Sequence, residues 1–116
     1  MAVLRVISNL PTGEIAAARA FYGDFLGLDL VMDHGWIQTF ASDARMAPQV
    51  SIATEGGSGT PVPTLSIDVD DVDAYRRRAD ELGLDIVYEL TDEPWGVRRF
   101  YVRDPFGNAI NILSHR

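Results

Sequence analysis

The sequence predicts an α+β fold built from two similar βαβββ modules packed side by side. Three observations carry that prediction. The order strand, helix, strands runs twice along the 116 residues, the tetrapeptide "LGLD" occurs at 26–29 and again at 82–85, and apolar residues switch between a spacing of two and spacings of three and four. Two copies are too few for a solenoid. The expected layout is one domain, with module 1 over about 1–55, a linker over about 56–63 and module 2 over about 64–116. A chain of this size buries roughly two-thirds of its unfolded surface on folding.

In module 1, "LRVISNL" (4–10) reads as a strand and "TGEIAAARAFYGDFLGLDL" (12–30) as a helix running into a loop. Ile15, Ala18, Tyr22 and Phe25 fall on one helical stripe. "WIQTFAS" (36–42) and "PQVSIAT" (48–54) alternate as strands, and "EGGSGTPVP" (55–63) has the composition of a connector. Module 2 repeats the order with a strand at 64–69, a helix and loop at 71–86, and strands near "DIVYEL", "VRRFYVR" and "NAINILS". Val72, Tyr75, Ala79 and Leu82 reproduce the helical stripe.

Several chemistries are excluded early. With no cysteine there is no disulfide, thiolate metal site or cysteine nucleophile, which suits a reducing compartment. No run of about 18 apolar residues and no secretory start is visible, so the expected location is cytoplasmic with no membrane partner. A formal charge of −7 disfavours nucleic acid and favours a cationic small ligand. "EGGSGTPV" lacks the spacing of a phosphate-binding loop, and "DVDDVD" (68–73) lacks a calcium loop's third oxygen ligand and glycine. Of the two histidines, His34 lies in a turn and His115 at a fraying end; either could serve as a base only with positioned partners.

The hairpin "RRFYVRDPFGNAINIL" (98–113) carries the strongest local signal. Its "DPFGN" turn pairs Arg103 with Ala109, sets Tyr101 opposite Asn111, and turns Phe100, Val102, Ile110 and Ile112 toward a helix. Arg99, Tyr101 and Asn111 then share the other face. The same parity leaves Thr64, Ser66 and Asp68 on that face of "TLSIDV", and in "WIQTF" assigns Ile37 to the core and Trp36, Gln38 and Phe40 to the polar side. Polar groups with aromatic residues among them are the composition of a small-molecule site. Trp36, Phe40, Trp95 and Tyr101 are the rings available to stack on a ligand, and Arg99 can pair with a ligand carboxylate or with Asp68 or Glu55.

The doubled unit, "ARAFYGDFLGLDL" in the first half, and "SIDVDDVDA" with "FYVRDPFGNAINIL" in the second resemble the vicinal oxygen chelate superfamily, which includes glyoxalase I, extradiol dioxygenases and the bleomycin-resistance proteins. The resemblance implies a curved mixed sheet around a cleft, commonly in a homodimer. It also implies four metal-ligand positions, which fall on Ile7 or Ser8, Glu55, Thr64 and Asn111. At most one is a carboxylate, so the chain looks closest to the metal-free branch, in which antibiotic-binding proteins sequester a drug without reaction and need no cofactor. The expected function is metal-independent binding of a small cationic, aromatic or antibiotic-like molecule by Trp36, Gln38, Phe40, Glu55, Thr64, Ser66, Trp95, Arg99, Tyr101 and Asn111. The alternatives are a metal-dependent lyase, isomerase or dioxygenase, a metal-free enzyme using Glu55 or His34 as base, and a module used for protein contact alone.

Overall fold

The computed structural model describes residues 1–44 and 49–116. Eight strands run through the described residues: β1 (Val3–Pro11), β2 (Asp29–Asp33), β3 (Ile37–Ala41), β4 (Gln49–Ala53), β5 (Leu65–Val69), β6 (Ile86–Asp92), β7 (Val97–Arg103) and β8 (Ala109–His115). One α-helix, α1 (Val72–Glu81), follows β5. The fold is mixed α+β, with parallel and antiparallel strand pairs. None of the described helices is long and apolar enough to cross a membrane. The first residue of the expected "PQVSIAT" strand, Pro48, lies outside the described residues.

The chain divides into two compact units, Ile7–Val62 and Pro63–Arg116, the latter including Met1–Val6. In Ile7–Val62 the strand order is β2-β3-β4-β1, with β1 and β4 parallel. Here β2 is a strand that the sequence did not reveal. The expected helix is a 3-10 turn (Ile15–Ala17) followed by a π-helical segment (Arg19–Phe25). Wider bonding, with the Leu26 N–H donating to Phe21 O at 3.0 Å, swings Phe25 off the predicted stripe and leaves it 72% exposed. Ala18 and Tyr22 keep their places against Phe40, Val50 and Ile52.

In Pro63–Arg116 the order is β5-β8-β7-β6, with β5 and β8 parallel. The hairpin register is the predicted one: Tyr101 faces Asn111 and Arg103 faces Ala109. Phe100, Ile110 and Ile112 accordingly join Val69, Val72 and Ala79 in a buried cluster beneath α1. The Asp71 side chain caps α1 by accepting from the Ala74 N–H at 3.1 Å. Residues 1–6 are tied to the end of β5, where Ala2 N donates to Asp70 Oδ1 at 2.8 Å and Asp70 N to Ala2 O at 3.1 Å.

Charge pairs brace the outside of this unit. Arg76 on α1 donates to both carboxylate oxygens of Glu89 on β6, at 2.7 and 3.1 Å. That guanidinium, and then the Leu90 N–H, hold the Glu89 carboxyl at about 2 against an ordinary 4.5. Arg98 likewise holds Asp73 low, and the Asn108 side chain holds Asp104 low. A carboxyl with a depressed folded pKa stabilises fully above its ordinary value and loses that contribution as pH falls. Urea midpoints should therefore drop as pH is lowered from 4.5 to 2, and Glu89→Gln should flatten part of the drop. An unchanged slope in Glu89→Gln would show that the pair does not govern acid stability.

Candidate functional site

The face of the Pro63–Arg116 sheet turned away from α1 carries rows of polar side chains. Ser66, Asn111, Tyr101 and Tyr88 stand in register across β5, β8, β7 and β6. Asn111 Nδ2 donates to Ser66 Oγ at 3.1 Å, and Asn111 Oδ1 is buried with no hydrogen-bond partner among the described residues. The residue as a whole is 7% exposed. Thr64, just before β5, is exposed and its N–H is taken by Ala109 O.

Along the sheet from that row lies a buried ion pair. Arg99 is 3% exposed; its Nε donates to Glu93 Oε2 at 2.9 Å, its Nη2 lies 2.7 Å from the same oxygen, and its Nη1 donates to the Tyr101 hydroxyl at 3.1 Å. Three rings surround the guanidinium, with Trp95, Tyr101 and Tyr88 centroids 4.9, 5.0 and 5.2 Å from its central carbon. The Tyr88 hydroxyl donates to Glu93 at 3.2 Å. A tight turn positions the cage: Glu93 N donates to Val97 O at 2.7 Å, and Gly96, at φ 89, makes the reversal.

Arg99 is paired within its own unit. Its partner is neither Asp68 nor Glu55 but Glu93, a residue that sequence reasoning passed over along with Tyr88. Tyr101 stands in the polar row and Trp95 in the turn before β7, and the ring faces they turn to Arg99 are occupied by it. Only the acidic "DEPWG" turn placed six residues before an arginine signals the pair in the sequence.

Two further residues meet at the end of the same face. Asp68 Oδ2 accepts from Arg5 Nε at 3.0 Å and lies 3.1 Å from His115 Nδ1. His115 is not frayed: it pairs with Val97 inside β8, and the Arg116 N–H beyond it is bonded to Gly96 O. Asp68 thus sits against the Nδ1 side of the half-exposed imidazole.

The residues expected from the first half lie in Ile7–Val62 and are less uniform. Phe40 is a correction: it is fully buried with Ala18 and Ile52, its ring 5.8 Å from that of Tyr22. Parity on β3 was assigned from its own residues, but Phe40 is level with Val50 and Gln38 with Ile52, and that apolar neighbour strand decides which face is core. Gln38 therefore shares the core side, with Nε2 3.5 Å from Asp33 Oδ2 and a buried Oε1 that has no partner among the described residues. Trp36 precedes β3 and stacks on His34, the centroids 6.2 Å apart. Glu55 is also corrected: β4 ends at Ala53, and Glu55 is exposed in the following turn, accepting from the Gly59 N–H at 3.3 Å. The polar row of this unit is Asn9, Ser51 and Thr39, all buried, with the two hydroxyls 2.7 Å apart.

A divalent metal of the kind the resemblance implies does not fit these side chains. Where paired first and last strands meet, the donors are Ser66 with Asn111 in one unit and Asn9 with Ser51 in the other. Amides and hydroxyls alone hold such an ion weakly. Among the described residues no three His, Asp or Glu side chains come together as a metal-holding group.

Two outcomes follow from the caged arginine and the histidine beside Asp68. Glu93→Gln should destabilise the protein by about 3–5 kcal/mol in urea unfolding, because it strands a buried guanidinium, and Glu93→Leu with Arg99→Met should recover most of that loss. Losses that simply add would show the two residues to be uncoupled. Nitrogen-15 NMR should find neutral His115 protonated on Nδ1, with that preference lost in Asp68→Asn; a proton on Nε2 in the unmodified protein would contradict the contact.

A family model described as the glyoxalase/bleomycin resistance protein/dioxygenase superfamily matches residues 4–112. Uncharacterised proteins of Mycobacterium bovis and Mycobacterium tuberculosis are 48% identical over 50 residues, a stretch that is 43% of this chain and 32% and 29% of theirs. The match thus spans about a third of the length of those curated relatives. Among solved structures, the fold is similar to a Legionella pneumophila protein described as an NAD-dependent benzaldehyde dehydrogenase, with TM-score 0.77 and 16% identity over 97% of this chain and 100% of that one. A glyoxalase/bleomycin resistance protein/dioxygenase superfamily member from Vibrio splendidus has TM-score 0.66 and 18% identity over 99% and 100% of the two chains. Methylmalonyl-CoA epimerase from Mycobacterium tuberculosis has TM-score 0.63 and 20% identity over 98% and 87%. Structural likeness at such identities concerns the fold alone, whereas the family model covers nearly all of the sequence: the chain belongs to the glyoxalase/bleomycin resistance protein/dioxygenase superfamily.

Proposed function

We propose that the polar face of β5, β8 and β7 binds a small organic molecule without a metal ion and without turning it over, in the manner of the superfamily's metal-free, antibiotic-sequestering branch. The observation that carries this reading is the Asn111 carboxamide, whose Oδ1 is buried beside Ser66 and Tyr101 and unpaired among the described residues. Leaving such an atom unsatisfied costs about 1–3 kcal/mol. A ligand N–H would recover it. Amine and guanidinium groups supply that donor, and a cationic ligand also suits a protein of charge −7. Turning the amide over changes the ligand's role from donor to acceptor, yet one polar atom of Asn111 still awaits a partner.

Within this reading, Ser66, Thr64 and the Tyr101 phenol supply further polar contacts, while Trp95 acts through Arg99 rather than by stacking on the ligand. Phe40 and Glu55 drop out. The proposal retains two βαβββ modules related by duplication, a homodimer, and a cytoplasmic setting. Lyase, isomerase or dioxygenase activity is the alternative, and it requires a metal set that these side chains do not supply.

The test joins a binding screen to one substitution. Purified protein should bind a cationic, ring-bearing compound in a tryptophan-quenching screen, and Asn111→Leu should weaken that compound about tenfold while raising the thermal midpoint, because it removes a buried unpaired atom. Unchanged affinity in Asn111→Leu would take the carboxamide out of the site. Tight, stoichiometric binding of manganese, iron(II), nickel or zinc would overturn the metal-free reading.

A further inference from the structure

The opposite face of the same sheet, where α1 packs, holds a recess. A pocket of about 250 Å³ opens at the C-terminal turn of α1, walled by Tyr75, Ala79, Leu82, Leu84 and Phe100, with Arg78 at its lip. The chain builds this recess through the way the helix stops. Leu84 N donates to Ala79 O at 2.9 Å and Gly83 N to Asp80 O at 3.1 Å, with Gly83 at φ 68, a reversal that folds Leu84 back over the helix end. The reversal leaves the gap open. Leu82 remains 63% exposed and Leu84 44% exposed at its rim.

Charge at the lip singles out a ligand class. Arg76 is engaged by Asp80 and Glu89, Arg98 by Asp73 and Asp92, Arg103 by Asp85, and Arg116 by Asp92. Arg78 is exposed, and its side chain has no ion-pair or hydrogen-bond partner among the described residues. An apolar pocket with one uncommitted guanidinium at its mouth is complementary to an apolar body carrying an anionic head.

We propose that this recess binds a small amphipathic monocarboxylate, its alkyl or aryl part against Tyr75, Leu82 and Leu84 and its carboxylate on Arg78. The volume corresponds to roughly eight water-sized groups at about 30 Å³ each, which suits a medium-length chain or a single substituted ring. Two local features oppose an anion, namely Glu81 and the negative end of the helix dipole. The second is weakened because the carbonyls of Arg78, Ala79 and Asp80 already accept from Leu82, Leu84 and Gly83. A cationic amphiphile, which Glu81 would favour, is the competing occupant. This site is separate from the polar face and does not depend on what binds there.

Octanoate below its micelle concentration is the probe, titrated by calorimetry and followed by amide NMR on the whole chain. Saturable binding should shift Tyr75, Leu82 and Leu84 but not Asn111. Arg78→Gln should weaken octanoate about tenfold and leave octanol unaffected, and Leu82→Ser should weaken both; unchanged circular dichroism would confirm folding of both variants. The proposal is overturned by the absence of saturable shifts, by shifts centred on Asn111, by equal octanoate affinity in Arg78→Gln, or by tighter binding of octyltrimethylammonium than of octanoate.

Discussion

The pairing of Tyr101 with Asn111 across β7 and β8 is the constraint on which the later unit depends. Side chains alternate between faces with a period of two, so this register sends Phe100, Ile110 and Ile112 to α1 and Arg99, Tyr101, Asn111 and Leu113 to the other side. A slip of β7 by one residue would put the Arg99 guanidinium under the helix and Phe100 and Val102 on the polar face. The Asp104 turn opposes such a slip: its carboxylate accepts from the N–H groups of Phe106 and Asn108, both at 2.9 Å, and from the Asn108 side chain.

Once the register is set, the polar face must dispose of a buried cation. Hydrophobic burial offers nothing to a guanidinium; a carboxylate and three π faces do. Glu93 supplies the charge, while Trp95, Tyr88 and Tyr101 supply ring faces that attract a cation as they exclude water. Arginine suits this place better than lysine because its flat fork can address Glu93 and the Tyr101 hydroxyl at once while lying against the rings. The result is a rigid wall beside Asn111.

Much of this unit was legible in the sequence because its signals agree. The hairpin turn, the strand alternation, the Asp71 cap and the helical stripe through Val72, Tyr75 and Ala79 all point to one arrangement. The Ile7–Val62 unit was harder to read. Its helical segment has π rather than α spacing, so Phe25 was placed on a stripe it does not join. In β3, an aromatic and an amide on one parity looked like a polar face, and only the cross-strand neighbours Val50 and Ile52 identify that side as core. The constant offset read from the repeated tetrapeptide was not a safe guide to the strand ends. Asn111 stands beside Ser66 as Ser51 stands beside Asn9, whereas the offset taken from "LGLD" pointed past the end of β4 to Glu55.

The attachment of Met1–Val6 to Pro63–Arg116 bears on how the chain is made. Ala2 and Arg5 have their partners, Asp70 and Asp68, more than 60 positions later. Those contacts cannot form until most of the chain has been synthesised, and closing so long a loop carries an entropic cost that nearby pairings escape. The intervening Ile7–Val62 segment can fold in the meantime, leaving the leading residues as an unpaired strand end. Unpaired strand ends of this kind recruit other chains when they wait in the open. Leu4 and Val6 are exposed apolar residues in that segment, so synthesis passes through an interval in which an apolar strand end waits without its partners.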